Sequence, residues 1–227
     1  SVNQLEELDT VRVLEDGRMF AYAQAGASAL SVSKLTQSAV PDTNCQNEAL
    51  SSTQSAAIGA TSVTVTAGGA ITADYYKDGW IWANDATGEG HLYRVKGHAA
   101  GTADVVIYLK DAIRVAWVAS TTEWTMIANR QKLVVIATAA LGAAMAGVPP
   151  LAVTANYYFW NQVKGPCPVL VAGTLVLGSE CGPLTTSGAV APLASNDIIG
   201  SCGTVMSSQG AGSTTEYELI NLSIPGY

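Results

Sequence analysis

The sequence predicts an all-β protein: β-sandwich or barrel-like modules with an extended N-terminal arm and long loops. Three observations predict it. Short segments alternate apolar and polar residues, as in TSVTVT (61–66), where Val63 and Val65 face one way and Ser62, Thr64 and Thr66 the other. A period of two marks a pleated, half-buried strand. Such segments recur at short spacing between Gly-rich connections, and Asp16-Gly17 stands between two alternating runs as a hairpin turn requires.

VRVLEDGRMFAY (11–22) therefore reads as a hairpin closed by a two-residue Asp-Gly turn. Residues 23–57 lack a steady period and read as an arm or long loop, with one short helix at NEALSSTQSAA (47–57). Strands follow at TSVTVT and at WIWAN, which puts Trp80 and Trp82 on one face, and then at HLYRV across the connector NDATGEG. VVIYLK, AIRVAWV and EWTMIAN supply three more. LVVIATAALGAAMAGVPPLAV (133–153) carries no charge, but its apolar run before Pro149-Pro150 is 16 residues of mostly Ala and Gly, and only Lys132 and Arg130 could anchor it. That is short for a membrane span, so a strand and an extended linker are expected instead.

The second strand-rich half runs PVLVAGTLVLG, APLASNDIIGSCGTVMSS and EYELINLSIPGY. In the last, Tyr217 and Leu219 share one face and Ile220, Leu222 and Ile224 the other, which requires a bulge or burial of both faces. The expected organisation is an N-terminal hairpin and arm (1–48), a β module (49–130), an extended linker (131–153) and a second β module (154–227). One phrase occurs twice: AITADYYKDGW (70–80) is echoed by AVTANYYFW (152–160). Thr with Asp74 or Asn156 suits a local turn before paired tyrosines, so the same entry turn into two similar modules is expected, with coincidence as the rival.

Charged residues make up only 13% of the 227-residue chain, about half the usual share, and hydrophobic residues 48%. A surface so poor in charge is expected to be covered in part by another copy or a partner. The net charge of −7, with 11 Lys and Arg and no basic run beyond a dipeptide, argues against a nucleic-acid groove. Cys45, Cys167, Cys181 and Cys202 form no C-x-x-C pair and lie far in sequence from His91 and His98, which argues against zinc. A bond among Cys167, Cys181 and Cys202 is one option; small buried thiols are the favoured one. The N-terminal SVNQLEELDTVRVLEDGR has no apolar secretory core, and a chain made and kept in a cytoplasm is expected.

Catalytic signals are weak. Asp85, Thr87 and Glu89 alternate like a calcium loop, but the twelfth position is Lys96, so a polar hairpin tip is expected. His91 and His98 have no nucleophile partner and read as solvated surface residues. Glu216 and Glu218 share a strand face and read as edge charge that blocks aggregation rather than as a glycosidase pair. The glycines of TAGGA fit no phosphate loop. Neither a cofactor nor an enzymatic activity is expected. Most of the aromatic residues Trp80, Trp82, Tyr93, Trp117, Trp124, Tyr157, Tyr158 and Trp160 are expected to pack in the cores of the β modules, with one or two at a subunit contact. Leu5, Leu8, Trp80, Trp82, Tyr157, Tyr158, Trp160 and Tyr217 are the candidate interface residues.

The order VRVLEDGRMFAYAQAGASAL, AIGATSVTVT, NDATGEGHLYRVKGH, GVPPLAVTANYYFWNQVKGP, AGTLVLG and EYELINL resembles head-associated decoration, or cement, proteins of tailed bacteriophages across nearly the whole chain. The resemblance implies a virion protein on the capsid surface, made in the host cytoplasm. It also implies the major capsid protein as partner and a homotrimer, with neither nucleic acid nor membrane involved. The N-terminal arm is then the part expected to reach a neighbouring subunit. The rival readings are a head- or tail-fibre module gripping host glycans and, more remotely, a virion-associated hydrolase.

Overall fold

The computed structural model describes residues 1–138, 142–183, 186–193, 200–207 and 216–227. The fold is all-β, and the only helical element among the described residues is a 3-10 turn over Thr43–Cys45. The chain forms two compact units: residues 41–129 make the second, inserted between the two segments of the first, 1–40 and 130–227. The residues expected as arm and linker, 1–40 of the former and 131–153, therefore belong to the body of the first unit. They carry strands of their own.

In the first unit β1 (Val11–Val13), β2 (Met19–Gln24) and β3 (Thr36–Gln37) precede the insertion. The second unit holds β4 (Glu48–Ala49), β5 (Ser62–Thr66), β6 (Trp80–Asp85), β7 (Leu92–His98), β8 (Asp104–Leu109) and β9 (Glu123–Ile127). The first unit resumes with β10 (Val135–Ile136), β11 (Met145–Gly147), β12 (Tyr158–Leu170) and β13 (Glu180–Gly182). It ends with β14 (Ala191–Pro192), β15 (Gly203–Val205) and β16 (Tyr217–Ser223).

The second unit is a six-stranded antiparallel sheet ordered β4-β9-β6-β7-β8-β5. Its strands follow the expected alternation, with Val63, Val65, Ile81, Tyr93, Val105 and Ile107 buried. Trp117 and Trp124 are buried in the same core. Two expectations fail in this unit. NEALSSTQSAA forms no helix, because its polar side chains fold the backbone locally: Gln54 N–H donates to Ser51 O, and Ser51 N–H to Gln54 Oε1. AIRVAWV is not a strand either. It meets 56–60 at two separate points, through Ile113 with Ala60 and through Trp117 with Ala56, and so drops Ile113 and Trp117 into the core four residues apart.

The first unit has a seven-stranded sheet, β1-β2-β12-β16-β15-β13-β14, and a three-stranded one, β10-β3-β11. Val148 and Gln162 exchange both backbone hydrogen bonds, tying the smaller sheet to β12. The long β12 runs through Gly165-Pro166-Cys167-Pro168. Val171 N–H bonds towards β16, to Glu216 O, and Leu170 N–H bonds the other way, to Ser33 O. By alternation, Pro166 and Pro168 sit where an N–H would point away from β16. On that side β2 has already ended, at Lys164, so no ladder bond is lost. β16 pairs with β12 in continuous register, with no bulge. Its inner face is Glu218, Ile220, Leu222 and Ile224, all buried. Glu218 is thus not an edge charge: it lies inside, accepting from Ser207 Oγ at 2.8 Å.

The β1–β2 hairpin forms as expected, but its loop has three residues, not two. Gly17 N–H donates to Leu14 O and Leu14 N–H to Arg18 O, with Gly17 at φ +83°. This is a turn closed by a left-handed glycine and a bulge, the common three-residue hairpin loop. Asp16 reinforces it, accepting from Arg18 N–H and Nε, and the Arg18 backbone N–H holds the carboxyl below its ordinary value.

The repeated phrase has a shared geometry. Ile71 exchanges both backbone hydrogen bonds with Gly101, and Val153 does the same with Leu30. Each then enters a turn in which Tyr N–H returns to Thr O, Tyr75 to Thr72 and Tyr157 to Thr154, both at 3.1 Å. The third residue of each turn is left-handed: Asp74 at φ +54° and Asn156 at φ +64°. Asp and Asn are the side-chain-bearing residues that best tolerate this region. Their own N–H groups donate to His98 O and Gly26 O. The same bridge-and-turn device opens the strand region that follows in each unit.

Candidate interaction surfaces

The first surface lies on the N-terminal side of the first unit. Residues before β1 form no strand, turn at residues 7–10 and are fastened to their own unit. Tyr158 N–H donates to Ser1 O at 2.7 Å, Leu5 N–H to Tyr22 Oη at 2.9 Å, and Leu8 is 1% exposed. Beneath them Tyr22 stacks on Tyr158, with centroids 5.8 Å apart, and tilts against Trp160 at 5.1 Å. Arg12 caps the stack with its guanidinium 4.3 Å from the Trp160 ring and a 2.9 Å ion pair to Glu6. Asp9 accepts from the Tyr227 hydroxyl, and Gln131 Nε2 donates to the same oxygen at 2.9 Å. Burial first, and then the Asp9 charge, push the Tyr227 phenol above its ordinary value.

β1 is the outermost strand of its sheet. Tyr22 N–H donates to Thr10 O and Leu14 N–H to Arg18 O, so the even-numbered residues bond inward and the backbone of Val11 and Val13 points outward. All three strand residues are exposed, Val13 by 64%, and Leu14, Val2 and Leu5 (73%) add apolar area nearby in the chain. Arg12 is the one charged side chain on the strand, and Trp160 and Glu6 hold it down. The usual defences of an edge, such as lysine, proline or a bulge, are missing along Val11–Val13.

The second surface lies within the second unit. An open cavity of about 340 Å³ is lined by Asp74, Lys77, Lys96, Gly97, His98 and Tyr108. On β7, Val95 faces Leu109 and Gly97 faces Tyr108, leaving Lys96 as the extra residue of a β-bulge. The loop opposite is pinned to β7 by Asp74 N–H to His98 O and Asp78 N–H to Val95 O, and both aspartates are left-handed. Asp74 Oδ1 accepts His98 N–H at 3.0 Å. A Cβ on Gly97 would lie 2.9 Å from that same oxygen, so glycine keeps the cavity floor open.

His98 is buried, contrary to the solvated role expected of it. Its Nε2 accepts Tyr76 N–H at 3.1 Å and its Nδ1 lies 2.9 Å from Ala99 O, which fixes a neutral ring protonated at Nδ1. Both nitrogens are occupied by backbone, so the ring is a structural brace rather than a base. His91 Nδ1 bonds the backbone oxygens of Gly88 and Glu89 in its own turn. No cluster of three or more His, Cys, Asp and Glu that could hold a metal occurs among the described residues. No helix among them is long and apolar enough to cross a membrane. All four cysteines are free and buried.

The structure separates the eight candidate interface residues. Leu8 is core, because its segment folds back on its own unit. Tyr158 and Trp160 are half-buried within the aromatic stack. Leu5 and Tyr157 are exposed in the first unit, as is Tyr217 at the start of β16, where it pairs with Leu170. Trp80, 36% exposed, and half-buried Trp82 share the outer face of the second unit's sheet, where Arg94 lies 5.6 Å from the Trp80 ring. The edge residues Val11 and Val13 and the cavity residues Lys77, Lys96 and Tyr108 were not among the candidate site residues read from sequence. No family profile, curated protein or solved structure matches this chain.

Proposed function

We propose that this chain is a structural virion protein that binds the outer surface of a phage capsid and stabilises contacts between capsomers. The observation that supports it best is the outward backbone of β1, flanked by exposed Val11, Val13 and Leu14. An open strand edge with apolar side chains recruits a partner strand: main-chain hydrogen bonds supply affinity and alternate side chains supply specificity. The major capsid protein is the proposed partner, and a homotrimer the proposed assembly. Weak contacts repeated by symmetry then add through multivalency, and the shell gains stability without chemistry.

The test is co-sedimentation of the purified chain with mature heads of its source phage that have been stripped of it. Saturable pelleting is expected, with heads that then withstand more heat or chelation. Val13→Pro, which blocks the outward N–H, is expected to weaken pelleting by about tenfold, equivalent to ~1.4 kcal/mol. No pelleting, with the protein adhering to host cells instead, would overturn the proposal in favour of a receptor-binding module.

A further inference from the structure

The cavity of the second unit has no part in the proposed capsid attachment through β1. We infer that it binds an acidic sugar, a saccharide ring carrying one carboxylate and free hydroxyls. Lys77 and Lys96 open onto it together, and among the described residues neither is paired with a carboxylate. In a chain of net charge −7 that is a local reversal of sign. With Asp74 on the rim, two ammonium groups and one carboxylate leave a single net positive charge, the complement of one carboxylate. A phosphate dianion would bring its second charge against Asp74.

The remaining groups suit a polyhydroxylated ring. Asp74 gives one oxygen to His98 N–H and keeps acceptor capacity for a hydroxyl. Tyr108, 53% exposed, offers an aromatic face with a polar tip. The volume lies at the low end of small-ligand sites, and the site is open to solvent. An extended acidic peptide fits less well. The cavity sits in the body of the sheet, where Gly97 already faces Tyr108 and Tyr108 already faces Ser62, so no open strand edge exists there for a peptide backbone.

The site is also preorganised. The bulge leaves Lys96 as the extra residue on β7, and the backbone bonds of Asp74 and Asp78 pin the facing loop to that strand.

Isothermal titration of the whole chain with trigalacturonate tests this without capsids, so its outcome is independent of the cement reading. Saturable binding is expected with a Kd of about 0.1–1 mM, weakened about tenfold in Lys96→Glu and in Tyr108→Ala and unchanged in Lys164→Glu on the other unit. Thermal midpoints would certify that each variant is folded. Amide shifts of the wild type on titration are expected to centre on Gly97 and His98, which keeps the test valid should a variant fail to fold. Any of four results would overturn the inference: no saturable binding, equal affinity in the Lys96 and Tyr108 variants, equal affinity for maltotriose or acetate, or tighter binding of tetraglutamate.

Discussion

At the scale of single residues, the repeated phrase shows how two chemically similar side chains can serve one backbone conformation for different reasons. Asn156 is left-handed and exposed, and its side chain makes no hydrogen bond that the turn depends on. Asp74 is left-handed too, but its carboxylate also holds His98 N–H. Asn156→Gly is therefore expected to change stability by less than about 0.5 kcal/mol, and Asn156→Ala to cost about 1 kcal/mol, the penalty of a left-handed alanine. Asp74→Gly relieves the backbone equally well but loses the carboxylate bond, and is expected to cost about 1–2 kcal/mol. Urea unfolding of the three variants checks this; equal effects of the two glycine substitutions would show that the Asp74 side chain is idle.

At the scale of elements, legibility followed the regularity of the ladder. β5, β6, β7 and β8 were visible because each buries one face of a sheet, so the alternation is written in side chains such as Val63 and Val65. The continuity of β12 from Tyr158 to Leu170 was hidden because Pro166 and Pro168 look like breakers. They are harmless only because β2 stops short of them, a fact of tertiary pairing. AIRVAWV misled in the opposite direction, since Ile113 and Trp117 are buried through two isolated bridges rather than a strand. The open edge of β1 was equally invisible, because a sequence does not say which strand ends a sheet. That edge permits a paired test. Val13→Pro removes an outward N–H and is expected to leave the thermal midpoint within a few degrees, as prolines on edge strands do. Arg12→Pro removes a bond to β2 together with the contact on Trp160, and is expected to cost at least about 1 kcal/mol. Equal destabilisation by both would mean that the outward side of β1 is not free.

At the scale of the whole molecule, the buried thiols and phenols set an alkaline limit on stability. In the second unit, burial pushes Cys45, Tyr75 and Tyr76 above their ordinary values. In the first, burial raises Cys167 to about 12, and the Cys202 thiol is raised by its hydrogen bond with the Cys181 side chain and then by burial. Burial raises Tyr227 as well. In the unfolded chain the thiols titrate near 9.0 and the phenols near 10.0, whereas the folded chain keeps these groups protonated to higher pH. The unfolded state therefore binds fewer protons above about pH 9, and stability falls as pH rises, by at most about 1.4 kcal/mol per pH unit for each group within its window. For Cys167 that window runs from 9.0 to about 12, and below it the contribution is fully present. Denaturant midpoints measured from about pH 7 to about pH 11 are expected to stay level and then drop, with the raised groups of both units contributing. Cys167→Ala is expected to flatten part of that slope, at the cost of a small cavity. A midpoint that stayed level or rose through this range would contradict the burial of these groups. Because they are spread through the cores of both units, it would contradict the packing of the fold itself.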